Sequence, residues 1–354
     1  MRISELNPTK KTLTNIGIEF QGDSRELKIL DVLLMNIGAK TSLEEQRLAF
    51  FDVFELEKLI GDWKFDSGKV ELKKILNRQK IIWSGKRFSF DLTFEPIVYS
   101  IMNVTPDSFY DGNPKLTLKD ILARVERDLM HGASVVELGG KSSKPNFDDI
   151  SAQEEWLRLE EAIAEIRRLF PEAILAVDTN EPYVMRRVLD AGVDIINDID
   201  GFQTAEKLEV IKEYKPSVVA MNNGRIPHKF SEKLSVELMS YFSKVKENLR
   251  EQGLSDNQLV IDSGVGFFDG PSAISSVQRM KVTKMLTELG IPIMAAISRK
   301  SFLPNLFEVK EAEKLFGTLL FEAQMIQDGA RVLRVHDSLA TTRLIDGIVK
   351  YNRL

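Results

Sequence analysis

From Ile97 onward, short apolar runs alternate with amphipathic stretches, the pattern of βαβ units around a parallel sheet. The runs are IVYSIMNV (97–104), SVVEL (134–138), ILAVD (174–178), DIIND (194–198), SVVAM (217–221), QLVID (258–262), PIMAAIS (292–298) and RVLRV (331–335). A helical stretch follows each of them. In the first, Leu118, Ile121, Leu122, Val125 and Leu129 recur at i, i+3, i+4, i+7 and i+11, an apolar stripe with a charged opposite face. Three helices end on one signature before a strand, HGASVVEL, AGVDIIND and DGARVLRV, in which Gly132, Gly192 and Gly329 suit the left-handed position after a helix.

Eight units over residues 97–354, 258 residues in all, fit the ~250 of a (β/α)8 or TIM barrel. An open doubly wound sheet is the alternative, but no GxGxxG follows the first strand, which weighs against its dinucleotide-binding form. Residues 1–96 do not join the repeat. They predict a helix around 25–37, a second near 43–60, and a strand or hairpin at RFSFDLTF (87–94). The expected organisation is therefore an α/β protein: an N-terminal accessory α/β region, 1–96, of unknown role, before a barrel at 97–354. The accessory region holds no catalytic motif; it reads as an appendage, or partly as a strand pair closing the barrel's bottom.

Composition narrows the chemistry. Lys plus Arg at 48 against Asp plus Glu at 53 gives a net charge of −5, which offers no field for nucleic acid. Zero cysteines exclude disulfides, thiolate metal sites and cysteine nucleophiles, and three histidines make a multi-histidine metal site improbable. The N-terminus lacks a leader's apolar stretch and no run reaches the ~18 apolar residues of a membrane span, so a cytoplasmic protein with no membrane partner is expected. A homodimer is compatible with the chain, though nothing in the sequence decides it.

In such barrels chemistry sits at the C-terminal ends of the strands. Here those ends carry Asn103, Glu137, Asp178, Asn197, Met221 with Asn222, Asp262, Lys300 just after its strand, and Arg334 with His336. Any one Asp or Asn could equally cap the next helix; eight ends together point to a site. Arg334 and His336 alternate, so they share a face and suit an anion. His131, beside a helix-ending glycine, and His228, in a polar loop, read as structural.

The first strand runs into Thr105-Pro106-Asp107-Ser108-Phe109, and this NVTPDSF stretch resembles the signature of dihydropteroate synthases. The resemblance continues in order through LGGKSSKP (138–145), AVDT (176–179), IINDIDG (195–201), IDSGVGF (261–267), SRKSF (298–302) and RVHD (334–337), covering nearly all of 97–354. It implies a transferase of folate biosynthesis, a sulfonamide target, that joins 6-hydroxymethyl-7,8-dihydropterin pyrophosphate to p-aminobenzoate. By similarity Asp262 takes the aminopyrimidine edge, Asn197 and Asp178 take other ring atoms, and Lys300 donates to the ring carbonyl and nitrogen. Met221 and Phe267 pack on the ring, though Met221 reads equally as ordinary core. Arg334 and His336 receive the β-phosphate, while Asn103 helps to hold Mg2+. Thr105, Asp107, Ser143 and Lys144 lie in the two loops, roughly 105–116 and 139–150, that would act as lids over a reactive cation. Two carboxylates in one cavity repel, and an adjacent Lys300 would help to keep both ionised.

Three positions depart from the family pattern. The second loop reads Gly139-Gly140-Lys141-Ser142-Ser143-Lys144-Pro145 where the family shows GGESTRPG, so Lys144 stands for an arginine whose planar fork it cannot reproduce. Ser263 replaces the proline of DPGIGF, and Glu137 replaces the usual aspartate. The competing readings are a non-catalytic pterin-binding paralogue or regulator, favoured by the altered second loop and the unexplained N-terminal region, and a tetrahydrofolate-dependent methyltransferase, which would need neither the TPDSF loop nor a pyrophosphate site.

Overall fold

The computed structural model describes the chain apart from residues 9, 10, 14, 44–46, 105–116, 142–149, 224–232, 268–273, 308, 309, 311, 312 and 354. The accessory region is ordered as β1 (Arg2–Glu5), β2 (Ile16–Gln21), α1 (Ser24–Ile37), β3 (Lys40–Leu43), β4 (Arg47–Phe51), α2 (Val53–Asp62), α3 (Lys69–Arg78), β5 (Ile82–Ser84) and β6 (Ser89–Asp91). There follow β7 (Ile97–Asn103), α4 (Leu118–Met130), β8 (Ala133–Gly139), α5 (Ala152–Leu169), β9 (Leu175–Asp178), α6 (Pro182–Asp190), β10 (Ile195–Asp198), α7 (Ala205–Tyr214), β11 (Ser217–Met221) and α8 (Leu234–Glu251). The chain ends with β12 (Leu259–Asp262), α9 (Ile274–Lys281), α10 (Thr283–Leu286), β13 (Ile293–Ala295), α11 (Phe302–Phe307), α12 (Lys314–Gln327), β14 (Val332–Val335) and α13 (Ser338–Arg353).

Strands β7 to β14 pair in parallel and close into a barrel, so the (β/α)8 architecture holds. The three signature glycines, Gly132, Gly192 and Gly329, have φ of 91°, 86° and 105°, the left-handed backbone that ends each helix. In the accessory region the helix at 25–37 is α1, but the segment 43–60 is not one helix. Its first half is strand β4, paired antiparallel to β2 and β3, and only from Val53 does a helix run, capped by Asp52 and Glu55 in a reciprocal capping box. The apolar run RLAFF serves a strand as well as it serves a helix, and the sheet decides. The strand expected at 87–94 shortens to β6, whose partner is β5.

Side-chain parity divides the barrel cleanly. Val136, Leu138, Val177, Ile196, Val218 and Ile261 point outward into the helix layer, while Tyr99, Val135, Ala176, Ile195, Val219, Val260, Met294 and Val332 point inward. The inward set forms one apolar cluster with the accessory region, including Ile18, Phe20, Leu30, Phe51, Leu56, Trp63 and Trp83. The bottom of the barrel is thus packed from outside by residues 1–96 rather than by barrel residues alone.

Candidate active site

Continuing the inward parity to the C-terminal strand ends gives Asn103, Glu137, Asp178, Asn197, Met221, Asp262, Arg334 and His336. Adjacent strands bring Asn103 level with Gly139, Gly139 with Asp178, Asp178 with Asn197, and Met221 with Asp262. These residues therefore share the inner face at the C-terminal end of the barrel. Thr105, Asp107, Ser143, Lys144 and His228 lie outside the described residues, as does most of the two expected lids.

Arg334 is the electrostatic centre. Its Nε donates to Glu137 Oε1 at 2.8 Å, its Nη2 donates to the same oxygen, and Nη2 also reaches Asp178 Oδ2 at 2.7 Å. Desolvation works against the guanidinium, but the two carboxylates outweigh it and hold its pKa above the ordinary value. Burial raises the Asp178 pKa, Arg334 opposes the rise, and Glu137 adds to it. The expectation that Lys300 serves both carboxylates is therefore corrected: the cation beside Asp178 is Arg334, and Lys300 acts on Asp262.

Asp262 is 4% exposed, and its Oδ1 accepts the N–H of Gly264 at 2.8 Å. Burial pushes its pKa up, while Lys300 and that N–H pull it down. Lys300 Nζ sits 4.6 Å from the centroid of the Phe267 ring, a cation–π contact that fixes the ammonium beside the flat face. The DSGVGF turn needs both glycines. A Cβ on Gly264 would stand 2.0 Å from Asn222 O, and one on Gly266 would stand 2.8 Å from Lys300 Cδ.

At the end of β14, Ser298 Oγ accepts the backbone N–H of His336 at 3.2 Å and lies 3.1 Å from its Nδ1. Burial first, then the cations Arg124 and Arg334, bring the imidazole pKa down to about 3. His336 is thus a neutral hydrogen-bonding group at neutral pH, not the second positive charge that an anion-binding pair suggested. Asn103 is exposed at its strand end, opposite a glycine whose Cβ would come within 2.9 Å of Asn103 Oδ1. His131 caps α4, and its carbonyl accepts from Thr342 Oγ1 at 2.7 Å, a structural role.

Sequence reasoning missed the groups that brace this rim. Arg124 donates to the carbonyls of Ile101 and His336, each at 3.4 Å, joining β7 to the end of β14. Arg299, in left-handed backbone at φ 55°, grips Asp337 through two bonds of 2.6 and 2.5 Å and so fixes the residue before Lys300. Buried Lys207 reaches both Asp198 oxygens at 3.0 Å and Asp200 at 3.1 Å. Below the rim, Tyr99 donates to Glu137 Oε2 at 2.6 Å, and Asn197 Nδ2 reaches the same oxygen at 2.9 Å. Tyr99 shares parity with Asn103, which was the available signal.

This geometry has counterparts among known proteins. The family model described as pterin binding enzyme matches residues 99–336, well over half of the chain. The dihydropteroate synthase of Escherichia coli (strain K12) is 30% identical over 254 residues, covering 70% of this chain and 89% of that protein. The chain belongs to the dihydropteroate synthase family of pterin-binding enzymes. Among solved structures of that family, the Xanthomonas albilineans synthase with 4-aminobenzoic acid aligns at a TM-score of 0.68 and 29% identity, over 75% of this chain and 96% of that one. The Yersinia pestis synthase in a sulfonamide drug complex aligns at 0.69 and 28% identity, over 77% and 99%. Residues 1–98 fall outside the family match, which covers all eight C-terminal strand ends of the barrel. No helix among the described residues is long and apolar enough to cross a membrane.

Proposed function

We propose that the chain is a dihydropteroate synthase, condensing 6-hydroxymethyl-7,8-dihydropterin pyrophosphate with p-aminobenzoate and releasing pyrophosphate. The observation that carries this reading is the inward-facing set Asp178, Asn197, Asp262, Lys300, Arg334 and His336 at one barrel mouth. A pterin presents a donor-rich edge, which Asp262 and Asn197 can accept from, with Asp178 on other ring atoms. Lys300 donates to the ring carbonyl and nitrogen, and Phe267 and Met221 line the flat faces.

Arg334 uses Nε and Nη2 for the two carboxylates, and its Nη1 makes no hydrogen bond among the described residues, so that edge is available to a phosphate. A Ser298 hydroxyl donating to Nδ1 would leave the His336 proton on Nε2, and the sequence resemblance assigns this imidazole to the same anion. The C–O bond to pyrophosphate breaks, the resulting pterin cation is attacked by the aryl amine, and the amine loses its proton. These side chains stabilise the departing charge electrostatically, and no covalent nucleophile is needed. Asp107 and Lys144, with Thr105 and Ser143, belong to this reading through the sequence resemblance.

Mg2+ is part of the proposal. The Asn103 side chain, exposed at the end of β7, would add one hard oxygen to a cation carried mainly by pyrophosphate oxygens and water; among the described residues no group of three acidic or histidine side chains that could hold a metal is found. When bound, the ion supplies charge neutralisation to the leaving group. The reading extends to a cytoplasmic location, to sulfonamides as competitors of p-aminobenzoate, and to a homodimer. For the last, exposed Phe316 (66%) and Leu320 (47%) on α12 offer an apolar surface to a second copy, which sedimentation would read.

The deciding experiment is pyrophosphate release from the pterin ester with and without p-aminobenzoate. Release that requires p-aminobenzoate and yields dihydropteroate supports the assignment. Pterin binding without turnover would replace it with a non-catalytic paralogue.

A further inference from the structure

The accessory region reaches the site through one stack of buried aromatic groups. Trp83, on β5, is fully buried under the barrel, and its Nε1 donates to Ser217 Oγ at 2.6 Å. Ser217 in turn donates to the carbonyl of Gln258 at 3.1 Å, so the indole is anchored across the N-terminal ends of β11 and β12. Phe88 meets the indole edge-on at 5.4 Å, holding it within the hairpin. Above it, the Tyr99 ring stacks at 6.2 Å with an interplanar angle of 24°. Tyr99 is likewise fully buried and spends its hydroxyl proton on Glu137 Oε2.

Glu137 is 1% exposed and divides its oxygens: Oε1 holds Arg334, while Oε2 takes Tyr99 and Asn197. Its orientation therefore sets where two of the substrate-facing groups stand. Without the Tyr99 hydroxyl, Oε2 keeps the Asn197 amide alone, and the carboxylate can turn about its last torsion, taking Arg334 and Asn197 with it. A ring with two torsions, wedged on Trp83, suits the holding role because little freedom is lost on fixing it.

We propose that residues 1–96 form the working floor of the pterin site, with Tyr99, seated on Trp83, acting as a positioning residue that orients Glu137 and through it Arg334 and Asn197. This rests on the pterin-binding reading above, and wild-type binding of 6-hydroxymethylpterin by calorimetry checks that reading separately.

The test is a cycle in the full chain: Tyr99→Phe, Glu137→Asp and their double variant, with Trp83→Phe as a second probe of the floor. Tyr99→Phe keeps the ring and should weaken 6-hydroxymethylpterin binding by roughly fivefold to tenfold, the loss of one hydrogen bond to a buried charge. It should raise KM for the pterin ester in step while KM for p-aminobenzoate stays within about twofold, a split that a general loss of stability would not produce. Trp83→Phe should shift the same parameters in the same direction by less. In Glu137→Asp the shorter arm cannot span both Tyr99 and Arg334, so adding Tyr99→Phe should change nothing further. Pterin affinity within twofold of wild type in Tyr99→Phe, whatever its melting temperature, would overturn the proposal, as would losses that multiply in the double variant. Should Tyr99→Phe not fold, Trp83→Phe against Glu137→Asp reads the same coupling with the same two outcomes.

Discussion

Arg334→Met removes the cation at the barrel centre and keeps most of the side chain's length. Glu137 and Asp178, bonded to it at 2.8 and 2.7 Å, would then share the cavity without their counterion. Breaking a buried pair by deleting one partner costs about 3–5 kcal/mol. An unfolding entropy of ~2.1 cal/mol/K per residue over 354 residues gives about 0.7 kcal/mol per kelvin, so melting should fall by roughly 4–7 °C. The pH dependence supplies a second signature. Asp178 is already raised by burial, with Arg334 the main opposing influence, so removing Arg334 raises it further. A carboxyl whose folded pKa exceeds its unfolded value costs stability fully above the folded pKa, and the cost disappears as pH falls toward the unfolded value. Wild-type Asp178 is itself raised to about 7, so below that pH both proteins carry the same cost, and the gap should open as pH rises above about 7 and be small near about pH 6, read by calorimetry across that range. A gap below about 1 °C, or one constant with pH, would refute the view that Arg334 is the counterion of these carboxylates. Binding adds a third reading: the pterin pyrophosphate ester should lose more affinity than free pterin, because only the ester meets Nη1.

Asp262→Ala should weaken free pterin binding at least tenfold by calorimetry, since a charge-assisted hydrogen bond contributes about 1.5–3 kcal/mol; a loss under threefold would remove Asp262 from the ring edge. At Lys144, outside the described residues, kcat/KM should order Arg above Lys above Ala, with Lys144→Arg gaining roughly fivefold; equal rates would place the second loop outside the chemistry. Glu322 is fully buried with Thr341 Oγ1 donating to one oxygen at 2.9 Å, and burial, helped by Asp337, pushes its pKa up to about 8. That value lies above the unfolded one, so wild type should lose stability as pH rises from about 4.5 to 8. Glu322→Gln should flatten this loss by several degrees in melting scans, and identical pH profiles would refute the assignment.

The barrel is legible in the sequence because its signals are local. A strand buried on both faces reads as a short apolar run, a helix as a 3.6-residue stripe, and the ending glycines mark the joints. The same parity that gives a strand its two faces sends Asn103, Asp178, Asn197, Asp262, Arg334 and His336 inward, and it needs only the order of the residues to do so. The accessory region is harder because its sheet pairs strands across distance: β4 looks apolar enough for a helix until β2 and β3 flank it. Parity also states that a side chain points inward without naming what it meets. The partners of Arg334 lie 197 and 156 residues away in sequence, and nothing local to RVLRV says that two carboxylates await it there. The charge of His336 escapes the sequence for a related reason. Its neutrality comes from burial beside Arg124 and Arg334, a fact of packing that a pattern of alternating residues does not carry.

Glu137 shows how a departure from the family pattern can be read physically. Arg334 and Tyr99 are level in register, so a guanidinium and a phenol occupy one layer of the barrel interior. A single carboxylate from β8 serves both, and it does so by giving each a different oxygen. An aspartate on the same backbone would be one methylene shorter and could satisfy one of them. The Tyr99 hydroxyl, fully buried, would then lack its acceptor, which costs about 1–3 kcal/mol. A glutamate at 137 and a tyrosine at 99 therefore make sense only together. The tyrosine in turn needs something flat beneath it to hold its ring in the barrel axis, and Trp83 from the accessory hairpin supplies that surface. The unusual residue inside the site and the unusual region outside the barrel are two parts of one packing arrangement, which is why a conservative change at either end should be felt by the pterin.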